Sequence, residues 1–200
     1  DIINCTIVNN TQKNTNNPQF CGVRLDVRNN PNRAFVNNVV YGNTINGEVQ
    51  AQELGGYPQG YGKFLNNAVA GTTAKVTYIQ LDAENAPQFN ENYSFAWTSP
   101  LYNAGSNDAL AYFVGDKDVY GNVRKQGENI DLGAVEHTVH TLTVAPVENG
   151  TLALEVLGQT MPLEAKAYKV PAGFTATILA TPAEKYALES ILLNGSVLAA

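Results

Sequence analysis

The stretch VNNVVYGNT, from Val36 to Thr44, decides how this chain is read. Two other segments align with it: INCTIVNNT (Ile3 to Thr11) and LNNAVAGTT (Leu65 to Thr73). Each is an apolar residue, then Asn, then a polar or small residue, then a short apolar run, then Asn or Gly, then Thr. The steps between them, Ile3 to Val36 and Val36 to Leu65, are 33 and 29 residues. Steps of that size lie within the range of about 20–45 residues spanned by solenoid repeats. Each apolar run is short, rich in β-branched residues and bounded by Asn and Gly, so it predicts a strand. One such strand cannot bury its face alone, but stacked equivalents can. Asn at matching positions can form a ladder of side-chain amides, and Asn also tolerates the left-handed backbone that turns a coil. Unequal steps imply loops of different length between the strands.

Working outward, VTYIQL (Val76 to Leu81) and FCGVRLDV (Phe20 to Val27) predict further strands. No run of ten to twelve residues has helical apolar spacing free of Asn, Gly and Pro. The chain therefore reads as all-β. Between Gly71 and Thr98 the repeat register is lost.

Composition marks a boundary. Of 24 asparagines, 18 lie before Tyr93 and two, Asn149 and Asn194, follow Glu136. Charged residues make up 15% of the 200 residues, against about 25% in a typical soluble chain. The net charge of −6 with no basic stripe argues against nucleic acid, because phosphate binding needs clustered Lys and Arg. No apolar run approaches the ~20 residues of a membrane-spanning helix. Cys5 and Cys21 either pair or sit as small buried hydrophobes, and their spacing matches no metal motif.

The run SPLYNAGSND (Ser99 to Asp108), then Asp118, Gly121, Asn122 and Arg124 in D-x-x-G-N-x-R, then IDLGAVE (Ile130 to Glu136), resembles the closing segment of right-handed parallel β-helix, pectin-lyase-like proteins. The resemblance covers residues 1–136 and implies the end coils and cap of such a solenoid. Residues 138–200 differ. HTLTVAPVENGTLAL and KVPAGFTATILATPAEKYALESILLNGSVL are similar to small bacterial β repeat domains of the internalin B-repeat-like type. This implies a small β-rich module, sandwich-like or β-grasp-like and cut before its last strand. Phe174 to Thr181 alternates as a half-buried strand does, and Asn194-Gly195 signals a hairpin turn.

Candidate sites follow. GDKDVYGNVRKQGENIDLGAVE (Gly115 to Glu136) mixes acids and glycines as calcium loops do. Counted from Asp116, however, the loop places Tyr120 at position five and Gly127 at position twelve, where oxygen ligands are needed. No metal or cofactor is expected. The structural reading, shared by the resemblance, makes Asp118, Arg124 and Asp131 a cap, with Arg124 forking onto Asp118 or Asp131. That cap holds the last coil shut while Ile130 to Glu136 lays down a final strand. Tyr57 and Tyr61, in LGGYPQGYGKF, are candidates for stacking on sugar rings or else for packing on the coil below. Arg24, Asp26 and Arg28 share a strand face and read as a solvated, ion-paired surface. Trp97 is expected in the core, and His137 and His140 on a linker strand. The expectation is a non-catalytic protein at a bacterial surface or secreted, whose β-helix binds glycan or a host surface while the tail is a spacer. The alternative is a fragment of a β-helix polysaccharide lyase or glycoside hydrolase, with its site partly upstream. Asp26 facing Glu48 or Glu53 across a groove would favour that alternative.

Overall fold

In the computed structural model the described residues are 1–13, 21–26, 30–71, 76–112, 116–156, 159–172 and 175–199. They are almost entirely strand, turn and irregular backbone, with two short 3-10 helices at Pro58–Gly60 and Asn107–Tyr112. The chain divides into two compact units, Asp1–Thr138 and Val139–Ala200.

In the first unit the three aligned segments pair side by side and parallel. Ile3 lies against Val36 and Val36 against Leu65. Thr6, Val39 and Ala68 form the next row, and Ile79–Leu81 adds a fourth strand beside Ala68–Ala70. Thr11 pairs with Thr44, and Val23 with Leu54. Phe20 and Val27, the ends of one expected strand, lie outside the described residues, as do Thr72 and Thr73; the strand between is Val23–Leu25. VTYIQL contributes only Ile79–Leu81.

The double asparagines divide the two tasks expected of them. The first of each pair turns the chain: Asn37 and Asn66 adopt φ of 56° and 47°, and Asn4 matches them at 50°. The second builds the ladder. Asn38 Oδ1 accepts the Cys5 amide at 3.0 Å, and its Nδ2 donates to Ile2 O at 2.9 Å. Asn67 repeats both bonds one row on, accepting from Asn38 N and donating to Phe35 O, each at 2.9 Å. At the second corner Asn9 and Gly42 take the left-handed turn, at 55° and 70°, and Asn43 Oδ1 accepts Asn10 N at 3.1 Å. Parallel stacking leaves the corner amides without strand partners, and these side chains supply them.

Both faces of the stacked strands are buried. Val40 and Val69 point to a core with Leu25, Phe35 and Leu54. Their neighbours Val39 and Ala68 point the opposite way and pack with Leu81, Phe95, Leu101 and Leu132. Ala34 and Val36 pack likewise with Ala109 and Ile130. The segment after Leu81 is therefore a side layer on the outside of the stack. It is fastened by Gly133 N to Asn37 O and by Ala134 N to Thr6 Oγ1, each at 2.9 Å. Ser106 and Asn37 exchange two further bonds, at 2.8 and 3.0 Å. Gly133 (φ 87°) crosses where a Cβ would strike Thr6 Oγ1. The final strand expected at Ile130 to Glu136 is absent: that stretch is irregular backbone, because it bonds crosswise to several strands rather than along one. Its Gly133 and Ala134 amides bond to Asn37 and Thr6, which lie in the first two of the three aligned segments.

The second unit is antiparallel. Gly150–Val156 lies between Gln159–Leu163 and Ala176–Pro182, and Val139–Thr143 pairs with Ala167–Pro171. Phe174 lies outside the described residues. Asn194-Gly195, with φ of 52° and 80°, turns the Ile191–Leu193 and Ser196–Ala199 hairpin.

Candidate functional site

The densest cluster of polar side chains in the first unit lies in the side layer. Asp118, Arg124, Asp131 and Glu136 are each buried. The Asp118-to-Asn122 turn folds around its own carboxylate. Oδ1 accepts the amides of Tyr120 and Asn122 at 2.8 Å, and Oδ2 accepts Glu136 N at 2.9 Å. This is an Asp-closed turn, and it uses up the oxygens a cation would need. Burial works to raise the Asp118 carboxyl, but the bonds from Glu136, Asn122 and Tyr120 outweigh it and hold it below the usual range.

Arg124 reaches the strap that crosses the stack. Its fork lands on main chain: one terminal nitrogen donates to Gly133 O at 2.8 Å and the other to Ala134 O at 3.1 Å. Two adjacent carbonyls on the crossing strap match the planar guanidinium as a carboxylate does, and Ala134 O also accepts Val119 N at 3.1 Å. Burial pulls the guanidinium down, against the charges of Glu136, Asp118 and Asp131. Glu136 is pushed up to about 9, by burial first and by the Asp131 charge second. It is a neutral acid near pH 7, and its Oε2 accepts Asp131 N at 3.0 Å.

His137 is not a linker residue. Nδ1 lies 2.7 Å from Asp131 Oδ2, and Nε2 lies 2.6 Å from the Phe95 carbonyl oxygen. The ring sits edge-on to Phe95 and Tyr102. An Asp–His pair of this kind is the supporting half of an acyl-transfer triad. Here a carbonyl stands where a nucleophile would, and it can only accept, so Nε2 carries a hydrogen directed at main chain. Asp131 Oδ1 also accepts Asn103 N at 2.7 Å. The pair ties the 95–103 segment to the strap. His140 is exposed on its strand.

The carboxylates proposed for a groove are likewise accounted for. Glu53 is 1% exposed and ends the second asparagine ladder. It accepts Gly42 N at 2.8 Å, Asn43 N at 3.1 Å and Asn43 Nδ2 at 2.7 Å. Asp26 is exposed and pairs with Arg24 at 2.6 Å, and Glu48 is exposed. Arg28 lies outside the described residues. Among the described residues no three His, Cys, Asp or Glu are placed to hold a metal ion, and no helix is long and apolar enough to cross a membrane. Cys5 and Cys21 are free thiols, and Cys21 is buried with its Sγ donating to Asn43 O at 2.9 Å.

Tyr57 and Tyr61 are both half-buried, and Tyr61 packs against the core around Leu25 and Phe35. Trp97 is half-buried too. The more exposed tyrosines of the side layer are Tyr93 and Tyr120. Sequence reasoning passed over both tyrosines, and it gave Glu136 no role beyond its motif. Two signals were present: Glu136 belongs to the IDLGAVE motif, and Tyr93 and Tyr120 each sit beside turn-forming Asn or Gly.

No family model, curated protein or solved structure matches the chain.

Proposed function

We propose that residues 1–136 are end coils of a right-handed parallel β-helix of the pectin-lyase-like kind and residues 138–200 a small spacer module of the internalin B-repeat-like kind. The chain serves as a non-catalytic scaffold on a bacterial surface or in secretion, and presents a lateral face to glycans or a host surface. Parallel pairing at steps of 33 and 29 residues supports the coil reading. The observation that carries the non-catalytic reading is Glu53. A carboxylate with both oxygens held by ladder amides has no lone pair aimed at a substrate proton. The Asp131–His137 pair is spent on main chain in the same way. Tyr57 and Tyr61 offer half-exposed rings on a glycine-rich loop for sugar contact.

The test is affinity electrophoresis of the chain in gels containing xyloglucan, galactomannan, arabinoxylan or polygalacturonate, with a parallel assay for new reducing ends and for unsaturated products. Retardation without product is expected. Product release above buffer overturns the non-catalytic reading. No retardation in any gel removes the glycan partner.

A further inference from the structure

We propose that the two turns of the side layer, Phe89 to Phe95 and Lys117 to Val123, form a binding site for a neutral glycan, with Tyr93 and Tyr120 as its stacking platforms. The proposal rests on the glycan reading above and names where contact is made. Tyr93 and Tyr120 are 44% and 55% exposed, and Val119 and Val123 stand exposed beside Tyr120 on the same turn. Exposure alone would mean little, but here it coincides with rigidity and with strain.

The Tyr120 hydroxyl donates to the carbonyl of Asn92, the residue immediately before Tyr93. That bond fixes the Tyr120 ring against the neighbouring turn and brings the two tyrosine-bearing turns together. Asp118 Oδ1 accepts the Tyr120 amide at 2.8 Å, so the ring is held from its backbone as well. The Tyr93 turn is closed by the Phe89–Phe95 bridge, by Asn90 N to Ser94 O at 2.7 Å and by Tyr93 N to Asn90 O at 3.0 Å. The Tyr93 ring stands edge-on to Phe89, their centroids 6.0 Å apart. Both rings are thus ordered before any ligand arrives, which removes a main cost of binding.

Tyr93 also occupies φ 59°. At almost every other left-handed position of the first unit this chain uses Asn or Gly, which adopt that backbone cheaply. A large residue kept there, with its ring outward, gains little from burial. Such strain on an exposed side chain points to a use for the ring.

The chemistry around the rings selects the ligand. Asn90 and Asn92 are exposed on the Tyr93 turn, so flat apolar faces alternate with amides. A pyranose has the matching form, with a C–H face to lie on a ring and a rim of hydroxyls for amides. The exposed charges of the two turns are Glu91 and Lys117, which are opposite in sign, and the chain carries −6 overall. A polyuronate would be repelled, so the ligand is a neutral chain.

The same gels test this with Tyr93→Ala, Tyr120→Ala, Tyr120→Phe and the pair Tyr57→Ala with Tyr61→Ala, each checked for an unchanged melting transition. At least one neutral glycan should retard the wild type, with little effect of salt. Tyr93→Ala and Tyr120→Ala should each weaken retardation about tenfold, the equivalent of ~1.4 kcal/mol. Tyr120→Phe, which keeps the ring and loses its tether, should fall between, and the Tyr57/Tyr61 pair should weaken retardation less than Tyr93→Ala or Tyr120→Ala does. Retardation that survives the Tyr93 and Tyr120 changes but is lost with Tyr57 and Tyr61 overturns this site and leaves the glycan reading intact. Preference for polygalacturonate overturns the charge argument, and with it the neutral ligand. No retardation by any glycan overturns both proposals.

Discussion

Replacing Arg124 by Ala tests whether the buried cluster holds the side layer on the stack. The guanidinium is 4% exposed and makes two charge-assisted bonds to the strap, at 2.8 and 3.1 Å. Each such bond contributes about 1.5–3 kcal/mol. Removing the cation also takes a donor from the carbonyls of Gly133 and Ala134, of which only Ala134 O keeps the Val119 amide, and leaves the Asp118 and Asp131 charges without a nearby cation. Breaking a buried charge arrangement of this kind costs roughly 3–5 kcal/mol, so about 4 kcal/mol is expected. For the 138 residues of the first unit, the unfolding entropy at the midpoint is about 0.29 kcal/mol/K at ~2.1 cal/mol/K per residue. The transition of that unit should therefore fall by about 14 °C, read by calorimetry at pH 7. Arg124→Lys keeps the charge but cannot span two carbonyls, so it should fall between. A drop smaller than about 3 °C would refute the account of the cluster as the fastener.

The pH dependence has a definite sign. Glu136 has its carboxyl raised from 4.5 to about 9 in the folded protein, so its contribution is full below 4.5 and is lost as pH rises toward 9. Asp118 is lowered, so its contribution is present above its ordinary value of 3.8 and is lost as pH falls through its depressed folded value. Urea midpoints between pH 3 and 9 should peak in the mildly acidic range and decline toward pH 9, and Glu136→Gln should flatten that decline; an unchanged slope in the variant counts against it. Glu53→Gln keeps one oxygen for Asn43 but turns an NH2 toward Gly42 N, and should cost roughly 2–3 kcal/mol, whereas exposed Glu48→Gln should stay within about 0.5 kcal/mol, both read from urea midpoints. Asn38→Asp can accept from Cys5 but cannot donate to Ile2 O or Asn67 Oδ1. It should destabilise by about 3 kcal/mol at pH 7 and less at pH 4, and equal losses at both pH values would contradict the ladder assignment.

The stack was legible because its information is local and repeated. Three segments carry the same apolar and asparagine positions, so aligning them aligns the strands, and Ile3, Val36 and Leu65 do fall in one row. The doubled apolar pairs, Val39-Val40 and Ala68-Val69, also betray burial on both faces, since a strand with one wet face alternates. What covers the outer face was not legible. The side layer has no period, and its bonds join distant residues: Ala134 N to Thr6 Oγ1 spans 128 positions and Asn37 to Ser106 spans 69. Reading Arg124 as a partner for carboxylates followed from charge and resemblance, and nothing in the sequence shows that a strap presents two adjacent carbonyls beside it. The role of Glu53 was not legible either: it ends a ladder that runs through Asn43, ten residues away, to Asn10.

The low charge and high asparagine content now have one cause. Parallel stacking with tight corners leaves amides and carbonyls at each turn with no strand partner, and the corners here are buried: Asn37, Asn38, Asn43 and Asn67 are each 0% exposed. A charged side chain could satisfy a donor or an acceptor, but not both, and would be costly to bury unpaired. Asparagine carries one of each on a short stem and adopts the left-handed turn besides. The exceptions confirm the logic. Where a corner presents only donors, at Gly42 N, Asn43 N and Asn43 Nδ2, the chain uses a carboxylate, Glu53. Where the strap presents only acceptors, at Gly133 O and Ala134 O, it uses a guanidinium, Arg124. Each buried charge is thus matched to a run of main-chain groups of one polarity, and the asparagines serve where both polarities meet.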